Sequence, residues 1–165
     1  MKLNDVGRIT FRFAPREIAA MLMLMGARTL PGTGIYAAAP EEDVRKSLIG
    51  DGIVTQLGSR VLLDRTVTLI LKTCIESQRR IEAVGTGGSA VLYVGERICV
   101  LIEAGRAIVT LEPFQNAIQA RQPFEMAMAS LSEPVRLSMY GKGPYEGEIH
   151  TPEMVHALLD ELCGK

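Results

Sequence analysis

The segment from Arg79 to Glu112, RRIEAVGTGGSAVLYVGERICVLIEAGRAIVTLE, constrains this chain more than any other. It reads as four short strands joined by three tight turns. Val91–Val94, Ile98–Ile102 and Ala107–Leu111 are rich in β-branched residues, which suit a pleated, half-buried surface. Gly95-Glu96 and Gly105-Arg106 are two-residue connectors with Gly first. That is the pattern of a type II′ hairpin turn, where only Gly takes a positive φ without strain. Ile98, Val100, Ile102 and Ala104 alternate with Arg97, Cys99, Leu101 and Glu103. Cys99 and Leu101 make the second face partly apolar, so this strand is expected to be internal and covered on both sides.

A meander of that size needs a core around it, and 165 residues with 47% apolar content supply one. The expectation is a single α+β domain over residues 1–165. The formal net charge is −1. Neither disorder nor a broad electrostatic surface for nucleic acid fits that balance. The longest apolar run, Ile18–Met25, is about a third of a membrane span. The opening MKLNDVGRITFRF alternates polar and apolar residues and lacks a signal-peptide core, so the chain reads as cytoplasmic with no membrane insertion. Cys74, Cys99 and Cys163 are odd in number and widely spaced, which suits buried free thiols.

Around the meander, residues 8–13 alternate as a strand through Ile9, Phe11 and Phe13. Pro15 opens a helix, Pro15–Met25, that is apolar nearly all round and stops at Gly26. Such a helix is core, or core on one side and an interface on the other; Met21, Met23 and Met25 favour adaptable contact. Leu30–Gly34 is a loop with turn chemistry, and Pro40 opens a second helix that stops at Gly50. Ile53-Val54 and Val61–Leu63 flank Gly58-Ser59 as a hairpin, after which Asp64 caps a third helix to about Glu76. This helix–hairpin–helix segment is winged-helix-like, which raises a DNA-binding alternative. Against it, EEDVRKSLIG carries three acids and two bases, and the hairpin offers only Arg60. Beyond the meander, Phe114–Ala120 is helical, Pro123 breaks or restarts it, and Phe124–Leu131 continues. Val135, Leu137 and Met139 form a last strand. A GKGPYEGE loop follows, and then a final helix capped by Thr151, with a Met154, Val155, Leu158, Leu159 and Leu162 stripe.

Chemistry-bearing motifs are absent from this pattern. Gly85-Thr86-Gly87-Gly88 joins two strands with no helix following, unlike a phosphate-binding loop. His150 and His156 have no Cys or second His at ligand spacing, and no serine stands in a nucleophile-elbow context. The reading is a non-enzymatic protein with no catalytic residue, no metal and no cofactor. A small-molecule-binding or enzymatic α+β domain is carried as an alternative.

FRFAPREIAAMLMLMGARTLPG, followed by SLIGDGIVTQLGSRVLLD, the apolar meander and the Phe114 helix, resembles the EspG-type proteins of type VII (ESX) secretion. The likeness runs over roughly residues 8–125. It implies a cytosolic chaperone or adaptor that holds secreted helical-hairpin proteins and has no catalytic residues. Family members are longer, with two quasi-equivalent halves around a central sheet. The chain corresponds to one half, so a homodimer would supply the other. A helical client needs an apolar groove or sheet face. The expected partner-binding residues are Val91, Tyr93, Cys99 and Leu101 on an outer meander face, with Met21 and Met25 of the Met-rich helix second. The dimer expectation has a further motive: the countable helices are expected to cover only one face of the sheet fully.

Overall fold

A computed structural model describes residues 2–3, 8–141, 145–148, 157 and 159–160, with side chains placed at 8–141, 157, 159 and 160. The fold class is α+β, with an antiparallel meander at its centre and helices on it. The four meander strands are β7 (Arg79–Gly85), β8 (Gly88–Val94), β9 (Cys99–Gly105) and β10 (Val109–Phe114). On one side they continue through β2 (Ile9–Phe13) and β1 (Lys2–Leu3), and on the other through β11 (Arg136–Tyr140) and β12 (Tyr145–Glu148). The resulting order is β1-β2-β10-β9-β8-β7-β11-β12, antiparallel at each junction.

Strand alternation divides the core in two. Val91, Tyr93, Val100, Ile102, Val109, Leu111, Phe11 and Phe13 face one side. Three helices pack there: α1 (Pro15–Leu24), α2 (Glu42–Gly50) and α3 (Arg65–Glu76). Ile81, Ala83, Leu92, Cys99, Leu101, Leu137 and Met139 face the other side, under α4 (Ala117–Ala129) and Leu159. β9 is therefore internal and covered on both faces, as its sequence requires. The idea that the helices cover only one face is corrected. α4 closes the second face, and the apolar-sheet motive for a dimer disappears with it.

Local chemistry explains the helix ends. The Asp64 side chain accepts from the Val67 amide at 3.0 Å, capping α3, and Asn116 accepts from Gln119 at 3.0 Å, capping α4. α4 runs unbroken through Pro123, which corrects the expected interruption; the proline removes one amide, and the helix continues because Ala120, Phe124, Ala127 and Met128 are buried on the sheet. Two small hairpins sit at the margins. β3 (Thr29–Leu30) pairs β4 (Ile35–Tyr36), flanking the turn that the sequence puts at Leu30–Gly34. β5 (Val54–Leu57) pairs β6 (Arg60–Leu63) across Gly58-Ser59, where the sequence puts a hairpin. β12 occupies part of the expected GKGPYEGE loop. Most of the final-helix stripe, His150, His156 and Cys163 lie outside the described residues.

The turn chemistry of the meander differs from expectation. Gly95 and Gly105 do not have positive φ. Each closes its turn from the strand end, Gly95 donating to the Ile98 carbonyl at 3.1 Å and Gly105 to Ile108 at 2.9 Å. Gly95 is needed for space instead, since a Cβ there would lie 2.6 Å from Thr73 Cγ2 and 2.8 Å from the Ile98 carbonyl oxygen. This close approach lets α3 sit against the β8–β9 turn.

Gly95→Ala is therefore expected to destabilise the fold by about 1–3 kcal/mol, the usual range for overpacking. Gly50→Ala has no atom within 4 Å of the added carbon. It ends α2 without positive φ, so it should be neutral or stabilise by about 0.4–1 kcal/mol. Urea denaturation of both variants checks the pair.

Candidate functional site

Val91, Tyr93 and Met21 are fully buried, and Cys99 and Leu101 nearly so. They cannot form an outer face. Nor do they share one: Val91 pairs Ile102 and Tyr93 pairs Val100 on the α1–α3 side, while Cys99 pairs Val94 and Leu101 pairs Leu92 on the α4 side. The expected shared partner surface on the meander centre is thus corrected to core. Met25 is half-buried. The open apolar positions on α1 are its neighbours Met23, 47% exposed, and Leu24.

What remains open is the margin of the α1–α3 face. Glu82 pairs Val91 and Arg80 pairs Tyr93, so both turn toward the helical side. The turn between β3 and β4 lies over Glu82. The Tyr93 hydroxyl donates to the Pro31 carbonyl. Gly32, with φ of 83°, comes so near Glu82 that a Cβ would lie 2.6 Å from its Oε1. Arg80 Nε donates to the same Oε1 at 2.6 Å, and its Cζ lies 4.0 Å from the centre of the Tyr140 ring. Burial pushes the Tyr93 hydroxyl well up, with Cys74 and Glu82 adding to the shift and Arg80 opposing it. Tyr93 therefore stays protonated and remains a donor.

Beyond this polar wall lies an uncovered strip on β7 and β11. The register puts Val84 beside Arg136, Glu82 beside Ser138 and Arg80 beside Tyr140. Val84 is 46% exposed and Tyr140 41%, while the alternate residues Ile81, Ala83, Leu137 and Met139 are buried under α4. The signal was present in the sequence. In RRIEAV and RLSMY one face is apolar through Ile81, Ala83, Leu137 and Met139, while the other mixes Arg80, Glu82, Arg136 and Ser138 with Val84 and Tyr140; β8 and β9 are apolar on both faces. That difference marks where the covering helices stop.

A second concavity, of about 710 Å³, opens between α3 and the β8–β9 turn, lined by Lys72, Glu76, Arg79, Glu96 and Arg97 among others. Its charges are of both signs. Its hydroxyls are engaged with backbone: Ser77 Oγ lies 2.7 and 3.0 Å from the Arg79 and Val94 carbonyls, and Thr73 Oγ1 donates to the Leu69 carbonyl at 2.8 Å. Burial pushes the Cys74 thiol well up, which leaves it a packing group rather than a nucleophile. Among the described residues no group of three His, Cys, Asp or Glu side chains converges as a metal site, and no helix is long and apolar enough to cross a membrane. On the winged-helix-like segment, Arg16 pairs Glu41 at 3.0 Å and Asp43 at 3.4 Å at the start of α2. The chain matches no family model and no curated protein.

One buried acid stands outside these features. Glu112 Oε1 on β10 lies 2.8 Å from Arg8 Nε without the alignment of a hydrogen bond. Burial raises the Glu112 carboxyl above its ordinary value, Arg8 lowers it, and Glu103 raises it again. A raised folded-state value means the charged form weakens the fold, and the penalty fades as pH falls through that value. Glu112→Gln should therefore raise the urea midpoint at pH 7, and its advantage over the wild type should close as pH approaches 4.5, the ordinary value.

Proposed function

We propose that this chain is a non-enzymatic, cytoplasmic binding protein that holds a helical protein client, the role that its resemblance to type VII secretion chaperones implies. The observation that carries this reading is the open β7–β11 strip beside the wall made by Arg80, Glu82 and the Pro31-Gly32 turn. Two strands about 4.8 Å apart, together with their flanks, offer a bed about as wide as the 10–12 Å of one helix. Its exposed residues are Val84, Tyr140 and Arg136, with Ser138 half-buried. Tyr and Arg are the types that interface hot spots use most, because each joins a large contact area to a polar tip. A client helix would lay its apolar stripe over Val84 and the Tyr140 ring. The preference for the sheet over the Met-rich helix is kept, moved from the meander centre to its margin.

The test uses short helical-hairpin proteins of the type VII secreted kind, titrated calorimetrically against the purified protein. Losing a contact of Val size at an interface is worth about 1.5–3 kcal/mol, or roughly a 10- to 100-fold change in affinity. Val84→Asp and Tyr140→Ala should each weaken binding by at least about tenfold while leaving the thermal midpoint within a few degrees of the wild type. Full affinity in both variants would move the client elsewhere. If no helical hairpin binds, the client class is wrong.

A further inference from the structure

The β5–β6 ribbon presents a surface that neither the core nor the β7–β11 strip explains. Its base is held by buried Val54 and by the Asp64 amide, which donates to the Ile53 carbonyl at 2.8 Å. Its outer part is open and apolar: Leu57 is 58% exposed, Leu62 50% and Val61 41%. The register pairs Leu62 with Thr55 on one face and Val61 with Gln56 on the other, so exposed apolar residues flank both faces. A partner lying over one face would leave the other wet. A strand added at the edge flanks both.

The backbone says which groups that edge offers. The bond from Asp64 to Ile53 fixes the hydrogen-bonded series of an antiparallel pair, which then includes Leu62 with Thr55 and Arg60 with Leu57. Val61 and Leu63 belong to the alternate series, so their amides and carbonyls point away from β5, toward the edge where this two-stranded sheet ends. Between Arg60 and Asp64 there is no Lys, Pro or Gly of the kind that blunts an exposed edge.

We infer that β6 pairs antiparallel with β6 of a second copy, about a two-fold axis at Leu62. Such an axis stands perpendicular to the sheet and keeps the faces in register, so residues opposite one another have numbers of the same parity. Centring on Leu62 sets Leu62 against Leu62 of the other copy, Val61 against Leu63, and Arg60 against Asp64. The segment Arg60-Val61-Leu62-Leu63-Asp64 is self-complementary in this register: cation, three apolar residues, anion. Both outward-pointing residues of each strand then form hydrogen-bonded pairs. Centring on Val61 leaves one such pair and sets Arg60 against Leu62. The union makes a four-stranded sheet from two ribbons, each of which is marginal alone. With only a few paired residues per copy, the contact lies below the roughly 1,200 Å² of a stable interface, so association depends on concentration.

Sedimentation of the wild-type chain should show its mass rising from 18.0 kDa toward twice that value across the micromolar to low-millimolar range. Leu62→Asp, which sets two carboxylates against each other, should weaken dimerisation at least about tenfold with an unchanged melt. Opposite residues in a non-hydrogen-bonded pair have Cα atoms about 4.5 Å apart, within disulfide reach. In a Cys163→Ser background, Leu62→Cys should therefore oxidise to a covalent dimer much faster than Ser59→Cys at the ribbon tip. A monomer at every concentration, a dimer that persists in Leu62→Asp, or equal crosslinking by the two cysteines would each overturn the inference.

Discussion

The rest of this structure depends on the burial of both faces of β8 and β9. Tyr93 and Val100 face one helical layer while Leu92 and Leu101 face the other. A sheet buried on both sides leaves its central strands with no wet face. That requirement places α1, α2 and α3 on one side and α4 with Leu159 on the other. It also explains Gly95, where the missing side chain lets α3 reach the turn. Function in such a molecule is pushed to the margins of the sheet, where the layers stop short.

Those margins are chemically distinct. On β7 and β11 the helical side is finished by a polar wall in which Glu82 is held by Arg80 and overlain by Gly32. An ion pair so enclosed costs desolvation and gains geometry. Its position next to exposed Val84 and Tyr140 gives an apolar strip with a fixed, charged border. The β5–β6 ribbon differs, being a projecting edge whose side chains are apolar on both faces. On the two proposals the bed would take a helix and the edge a strand, so they call for different kinds of partner.

Much of the architecture was legible because periodicity is a local signal. Ile98–Ala104 showed two apolar faces and proved internal, and Asp64 caps the helix that follows it. The misreadings were tertiary. Gly95 looked like a turn glycine because sequence shows that a side chain is missing without showing the Thr73 that would collide with it. α4 kept Pro123 because the packing of Phe124 and Ala127 outweighs one lost hydrogen bond. The partner face was set on Val91, Tyr93, Cys99 and Leu101 because apolar strand residues were counted without the register that sends them to opposite sides. The polar alternation of RRIEAV and RLSMY held the better clue, since half-polar strands mark the uncovered part of a sheet.

The most direct measurement of this account is a circular-dichroism melt of Leu101→Asp. If the meander centre is core on both faces, an unpaired carboxylate beneath α4 costs several kcal/mol and the cooperative transition is lost or falls sharply. A variant that melts cooperatively within a few degrees of the wild type would show that Leu101 faces solvent or a detachable partner, and the two-sided core would be contradicted.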